Sequence, residues 1–118
     1  MNQQILLDEI KLAYASLAMR PLRGTTYKHD KPCDYGCPLT ALCLYRGGID
    51  RSNPKYLEQT AASIHEWACN EFSDRWVKGF LHGFHYGEGK ASSHPLYREG
   101  YECGELVAQA ILAYGEVC

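Results

Sequence analysis

Apolar residues over the first twenty positions recur at helical spacing. Leu6, Ile10, Ala13 and Leu17 fall on one face, Ile5 and Leu12 broaden it, and Pro21 predicts a stop near Arg20 for a helix that starts at Gln3. A second run of the same period opens at Asn53-Pro54, an N-cap residue followed by a proline suited to the first turn. It passes through Leu57, Ala61, Ile64, Ala68 and Phe72, then through Trp76, Phe80 and Phe84. A single helix over 54–86 would be long for a globular domain, and Ser73 is placed to cap a new one. The run therefore reads either as one helix or as two that break near 70–74. Leu96, Gly100, Cys103, Val107 and Ile111 line a last helix over about 95–114, with Glu99, Glu102 and Glu105 turned outward.

Two stretches interrupt this periodicity. Pro38 to Tyr45 or Arg46 reads as a short helix with proline in its first turn and the Gly47-Gly48 pair after it. Residues 21–37 are rich in turn formers, among them Gly24, Thr25, Thr26, His29, Asp30, Pro32, Asp34 and Gly36, and predict an ordered loop. No alternating β-branched run appears, so no sheet is expected. The prediction is an all-α fold: one domain over 1–118, a bundle of three to five helices, with a Cys- and His-containing loop region at 21–52 inserted between helices.

Glycine at four-residue intervals changes that picture most. Gly79, Gly83 and Gly87 stack on one helical face, and Gly100 and Gly104 repeat the spacing on the last helix. Each mid-helix glycine costs about 1 kcal/mol relative to alanine, so five need a compensating reason. The reading that accounts for them is a close crossing of two helices, glycine face to glycine face, flanked by Phe80, Phe84 and Tyr101. The rival is a partly helical segment packed on a partner. The stretch from Gly79 to Gly87, Gly-Phe-Leu-His-Gly-Phe-His-Tyr-Gly, followed by Gly100-Tyr101, resembles the paired glycine-aromatic helices of the ribosome modulation factor family over about residues 74–108. The resemblance implies a helical hairpin that docks on ribosomal RNA and silences translation.

Composition and charge bound the rest. No apolar run reaches the roughly 18 residues a membrane span needs, and Met1-Asn2-Gln3-Gln4 carries no basic leader. A cytoplasmic location without a membrane partner is expected. The net charge of -2 hides an asymmetry. Seven basic residues between positions 20 and 55 face three acidic ones, whereas residues 61–118 hold eight acidic and four basic ones. Arg20, Arg23, Lys28, Lys31, Arg46 and Arg51, interleaved with Tyr27, Tyr35 and Tyr45, are the candidate partner-binding residues, for an acidic protein surface or a phosphate backbone.

Six cysteines in a reducing compartment read as buried thiols or metal ligands. His29, Cys33, Cys37 and Cys43 lie within fifteen residues and could close a tetrahedral zinc site, although the spacing is not that of a standard zinc module. Structural thiols are the competing account. Cys37 also precedes a helix start, which would favour its thiolate. His65 and Cys69, one turn apart, form a weaker ligand pair, and His82 and His85 are expected to face solvent. No phosphate loop, nucleophile elbow, metalloprotease motif or carboxylate pair is present, so no enzyme and no cofactor beyond candidate zinc are expected. Nine tyrosines and two tryptophans favour a protein-binding regulator or inhibitor. A ribosome or nucleic-acid modulator working through the basic region, and a zinc-stabilised structural or adaptor protein, are the alternatives.

Overall fold

A computed structural model describes residues 2–21, 27–30, 33–47, 56–86 and 94–112, with backbone alone at 27–30, 33–35 and 56–62. Within these, α1 (Gln3–Leu17) is followed by three short strands, β1 (Met19–Pro21), β2 (Tyr27–Asp30) and β3 (Cys33–Gly36). Then come α2 (Pro38–Tyr45), α3 (Tyr56–Glu71), α4 (Asp74–His85) and α5 (Pro95–Ile111). More than half of the chain is helical, as the periodicity requires.

The helix termini follow local chemistry. The Asn2 side-chain oxygen accepts from the backbone N–H groups of Gln4 and Ile5 at 3.0 and 3.1 Å, which starts α1. That helix ends at Leu17, earlier than Pro21 suggested, because Ala18 takes a left-handed conformation at φ 52° and turns the chain into β1. Its buried face holds Leu6, Leu7, Ile10, Ala13 and Tyr14. Ile5 and Leu12, expected to broaden that face, are 65% and 53% exposed, because they share a stripe nearly opposite to it. The long run after α2 is two helices: α3 stops at Glu71, and the Ser73 hydroxyl accepts from the Trp76 N–H at 3.2 Å to begin α4. The expected start at Asn53-Pro54 lies outside the described residues. So does Gly87.

The region read as a loop holds a small three-stranded sheet in the order β1-β3-β2. Central β3 pairs parallel with β1, Met19 opposite Asp34 and Pro21 opposite Gly36, and antiparallel with β2, Tyr27 opposite Gly36 and Asp30 opposite Cys33. Three- and four-residue strands are too short to show alternation, and Pro21 is tolerated because β1 is an edge. Below the sheet, α2 is buried on all sides from Pro38 to Leu44. It ends at Tyr45, and Gly47, two residues on, turns the chain at a φ of 76° that suits glycine. One hydrophobic cluster then joins α1, α2, the end of α3, α4 and α5. Leu96, placed on the core face by spacing, is 41% exposed, and Tyr97 is buried in its stead.

Among the described elements, α4 and α5 approach backbone to backbone. A Cβ built on Gly79 would overlap the Tyr97 carbonyl oxygen and lie 2.9 Å from its carbon, and one on Gly83 would overlap the Tyr101 carbonyl. The relation is reciprocal: Gly100 is seated against the Trp76 carbonyl and Gly104 against that of Phe80. Partner numbers rise together along both helices, so α4 and α5 run parallel where they cross. A shift of 21 positions maps Trp76, Gly79, Phe80 and Gly83 onto Tyr97, Gly100, Tyr101 and Gly104 and exchanges their contacts, which describes a local two-fold relation. Each glycine aims a Cα–H at a carbonyl oxygen, a contact worth about 0.5–1 kcal/mol.

The backbone at these sites has no way to yield. Gly83→Ala and Gly100→Ala should each cost about 3 kcal/mol or more in urea unfolding, despite a gain in helix propensity of about 1 kcal/mol. Gly47→Ala, in open space, should cost only about 1 kcal/mol, and Ala18→Gly should gain up to about 1 kcal/mol.

Candidate functional site

The two-fold crossing has two unlike sides. On one, Phe72, Trp76, Phe80 and Phe84 recur every four residues as a ladder of stacked rings, with centroids 4.6, 5.2 and 6.3 Å apart. Trp76, Phe80 and Phe84 are buried in the core with Cys103 and Val107. Trp76 Nε1 is buried there without a hydrogen-bond partner among the described residues. On the other side the equivalent positions of α5 are Tyr97 and Tyr101, stacked at 6.3 Å. His82 of α4 joins them, its Nδ1 2.7 Å from the Tyr97 hydroxyl and its ring packed edge-on to that tyrosine. Tyr86, 67% exposed, packs beside His82 and His85. A rigid helix pair thus carries an apolar ladder inward and a tyrosine-histidine cluster outward.

Sequence reasoning placed His82 in solvent, whereas it is half-buried and tied to Tyr97. The i,i+21 equivalence was the available signal: it sets α5 tyrosines where α4 has Trp and Phe. His94 serves as the N-cap of α5, its Nδ1 accepting from the Leu96 N–H at 3.2 Å.

Of the candidate partner-binding residues, strand register sets Arg20 and Lys28 on either side of Tyr35 in one row of the sheet. Arg20 is exposed on edge strand β1, and Lys28 lies on β2. Arg23, Lys31 and Arg51 lie outside the described residues. Arg46 is committed elsewhere: its guanidinium donates two hydrogen bonds of 2.6 Å to the Glu9 carboxylate, sits 3.8 Å from Glu71, and covers the Phe72 ring at 5.8 Å. It ties α1 to the end of α3. Charge reversal there would damage the fold and not binding alone. The Arg46 hydrogen bonds hold the Glu9 carboxyl below its ordinary value of 4.5, against the opposing effect of burial. A second tie is Tyr14, whose buried hydroxyl donates to the Gly36 carbonyl at 2.7 Å and fastens α1 to β3.

Of the candidate metal set, Cys37 and Cys43 are fully buried. Burial raises both thiol pKa values, that of Cys43 to about 11, so the helix start does not make Cys37 a favoured thiolate. The Cys37 thiol instead lies 3.4 Å from the Thr40 hydroxyl. Strand register pairs His29 with Asp34 and Cys33 with Asp30, which assigns positions 29 and 33 to opposite faces of the sheet. Their side chains lie outside the described residues. Among the described residues no three His, Cys, Asp or Glu side chains gather around one point, and no helix is long and apolar enough to cross a membrane.

The chain matches no protein-family model, no curated protein and no solved structure.

Two outcomes follow from these ties. Arg46→Ala should cost about 1 kcal/mol at neutral pH, as suits a half-exposed bidentate pair. Because the folded-state pKa of Glu9 is depressed, that contribution is present above its ordinary 4.5 and fades as pH falls below it. Urea unfolding of wild type and variant should therefore converge toward acid pH. In metal-free buffer, a thiol reagent should modify half-buried Cys69 in the folded protein, while Cys37, Cys43 and Cys103 react only on unfolding, as mass mapping will show.

Proposed function

We propose that this protein is a non-enzymatic regulator or inhibitor that acts by occupying a surface of a larger macromolecule, with a protein as the partner that fits best. The observation that carries the reading is the outward side of the α4–α5 pair, where Tyr86 stands 67% exposed beside His82 and His85 on a backbone held by the glycine crossing. Tyrosine on a rigid support offers large contact area at small ordering cost. Flanking charge is two-signed: Arg75 and Lys78 are exposed on α4, and Arg98 and Glu102 on α5. Mixed charge suits a protein surface, where complementary patches steer encounter and set orientation, better than a uniform phosphate backbone. Tyr14, Arg46 and the His82–Tyr97 pair are engaged in structural ties, which supports a binding role for them over a catalytic one.

Affinity capture with the tagged full chain, from an extract of the cells that produce it, should recover a protein partner that resists nuclease treatment. Tyr86→Ala should weaken capture about tenfold or more while leaving the unfolding midpoint unchanged. Recovery of ribosomes or RNA alone, lost on nuclease treatment, would replace this reading with the nucleic-acid one.

A further inference from the structure

Register and burial give the small sheet two unlike faces. On β1 the exposed Arg20 stands between buried Met19 and Pro21, so the row through Arg20 lies on the face turned away from the core. Arg20 pairs with Tyr35 on central β3, and Tyr35 pairs with Lys28 on β2. Directly opposite residues share a face, so the outer face carries the order arginine, tyrosine, lysine across its three strands. Strand spacing sets the two cationic positions about 10 Å apart, with the aromatic position midway. Asp34 and His29 belong with Met19 to the inner face. On the outer face, the next row pairs Cys33 with Asp30 and adds one carboxylate at that end. Residues 20–31 hold Arg20, Arg23, Lys28 and Lys31 against Asp30 alone, so the chain around this face is basic although the whole protein carries -2.

We propose that this outer face of the sheet is a binding site for single-stranded nucleic acid, with Tyr35 as the stacking platform for one base and Arg20 and Lys28 as contacts for the phosphates on either side of it. The order across the row carries the inference. A single strand alternates charged phosphates with flat bases, and a cation–ring–cation row matches that alternation. Every base offers a π-face to an aromatic ring, so such a platform is tolerant of sequence. An acidic peptide would use the two cations and leave the ring between them without a counterpart. In a duplex the bases are stacked on each other and closed to Tyr35. Asp30 disfavours phosphate at its end of the face, which confines the site to about one base and its flanking phosphates. Arg46, spent on Glu9, takes no part. Contacts this few belong to the affinity range of non-specific binding, about 1–100 μM. The site shares no residue with the tyrosine–histidine face of α4 and α5, so nucleic acid and a protein partner do not compete for the same side chains.

Fluorescence anisotropy of a short labelled oligouridylate, titrated with the reduced full-length chain, tests the site. Binding should saturate at low salt and weaken about sevenfold when salt is raised about fourfold, as two phosphate contacts on a single strand require. Tyr35→Leu should weaken it at least about fivefold, whereas Tyr35→Phe keeps the ring and the affinity. Arg20→Gln and Lys28→Gln should each lower the salt exponent by about 0.7. Lys11→Gln, the same change of charge at an exposed position of α1, should leave binding as it is. Circular dichroism of each variant reports whether it is folded. The wild-type chain supplies a reading without substitution: a strand bearing 5-iodouracil should cross-link to Tyr35 on irradiation, as peptide mass mapping will locate. Absence of binding at low salt, equal binding of a duplex or of oligoglutamate, unchanged affinity in folded Tyr35→Leu, or cross-links that leave Tyr35 unmodified would each overturn the proposal.

Discussion

Backbone contact between α4 and α5 is the constraint on which the rest of the structure depends. Helices with ordinary side chains at their interface stay 8–10 Å apart. Here Gly79, Gly83, Gly100 and Gly104 remove the side chains where the axes are closest, and carbonyl groups of Trp76, Phe80, Tyr97 and Tyr101 occupy the vacated space. The glycines sacrifice helix propensity, about 1 kcal/mol each. Close packing, Cα–H contacts and the burial of large neighbouring rings offset that loss. Because the fit is backbone on backbone, the register is set by contacts that no rotamer change can relieve.

That register distributes the aromatic residues. A parallel pair with a local two-fold relation places equivalent ladders on opposite sides of the crossing. Phenylalanine and tryptophan in the α4 ladder commit one side to the core, where they meet α1 and α2. Tyrosines in the α5 ladder, with hydroxyls that need partners, commit the other side to His82 and to water. The symmetry belongs to the backbone, and the difference between the two faces belongs to residue type.

Around this pair, a few polar contacts position the N-terminal half. Helix α2 is buried on every side, so its location is dictated by what surrounds it. Tyr14 reaches over to the Gly36 carbonyl, and Gly36 has to be small because Met19 and Thr40 stand 3.0 and 3.1 Å from where its Cβ would lie. Arg46 closes the assembly from outside by bridging Glu9 and Glu71 over the Phe72 ring. These contacts are long-range in sequence, and they convert separate amphipathic segments into one core.

Much of the helical framework was legible in the chain by itself. The period of Leu6, Ile10 and Ala13, the proline and glycine around α2 and the apolar face of α5 identify those helices, while the Ser73 cap and the glycine spacing offered the α3–α4 break and the crossing as one of two readings each, since propensity, capping and periodicity act within a few residues of each other. The sheet was not legible, because strands of three or four residues carry no pattern and β1 meets β3 only through folding. The direction of α5 relative to α4 was equally hidden: glycine spacing demands a close approach but is the same for parallel and antiparallel pairs. Arg46 looked like a free cation because Glu9 is 37 positions away, and His82 looked solvated because Tyr97 is 15 away. Local chemistry thus determined which segments are helices and where they begin. Tertiary packing alone decided which side chains are spent on structure and which face outward, because that depends on partners distant in sequence and adjacent only in the fold.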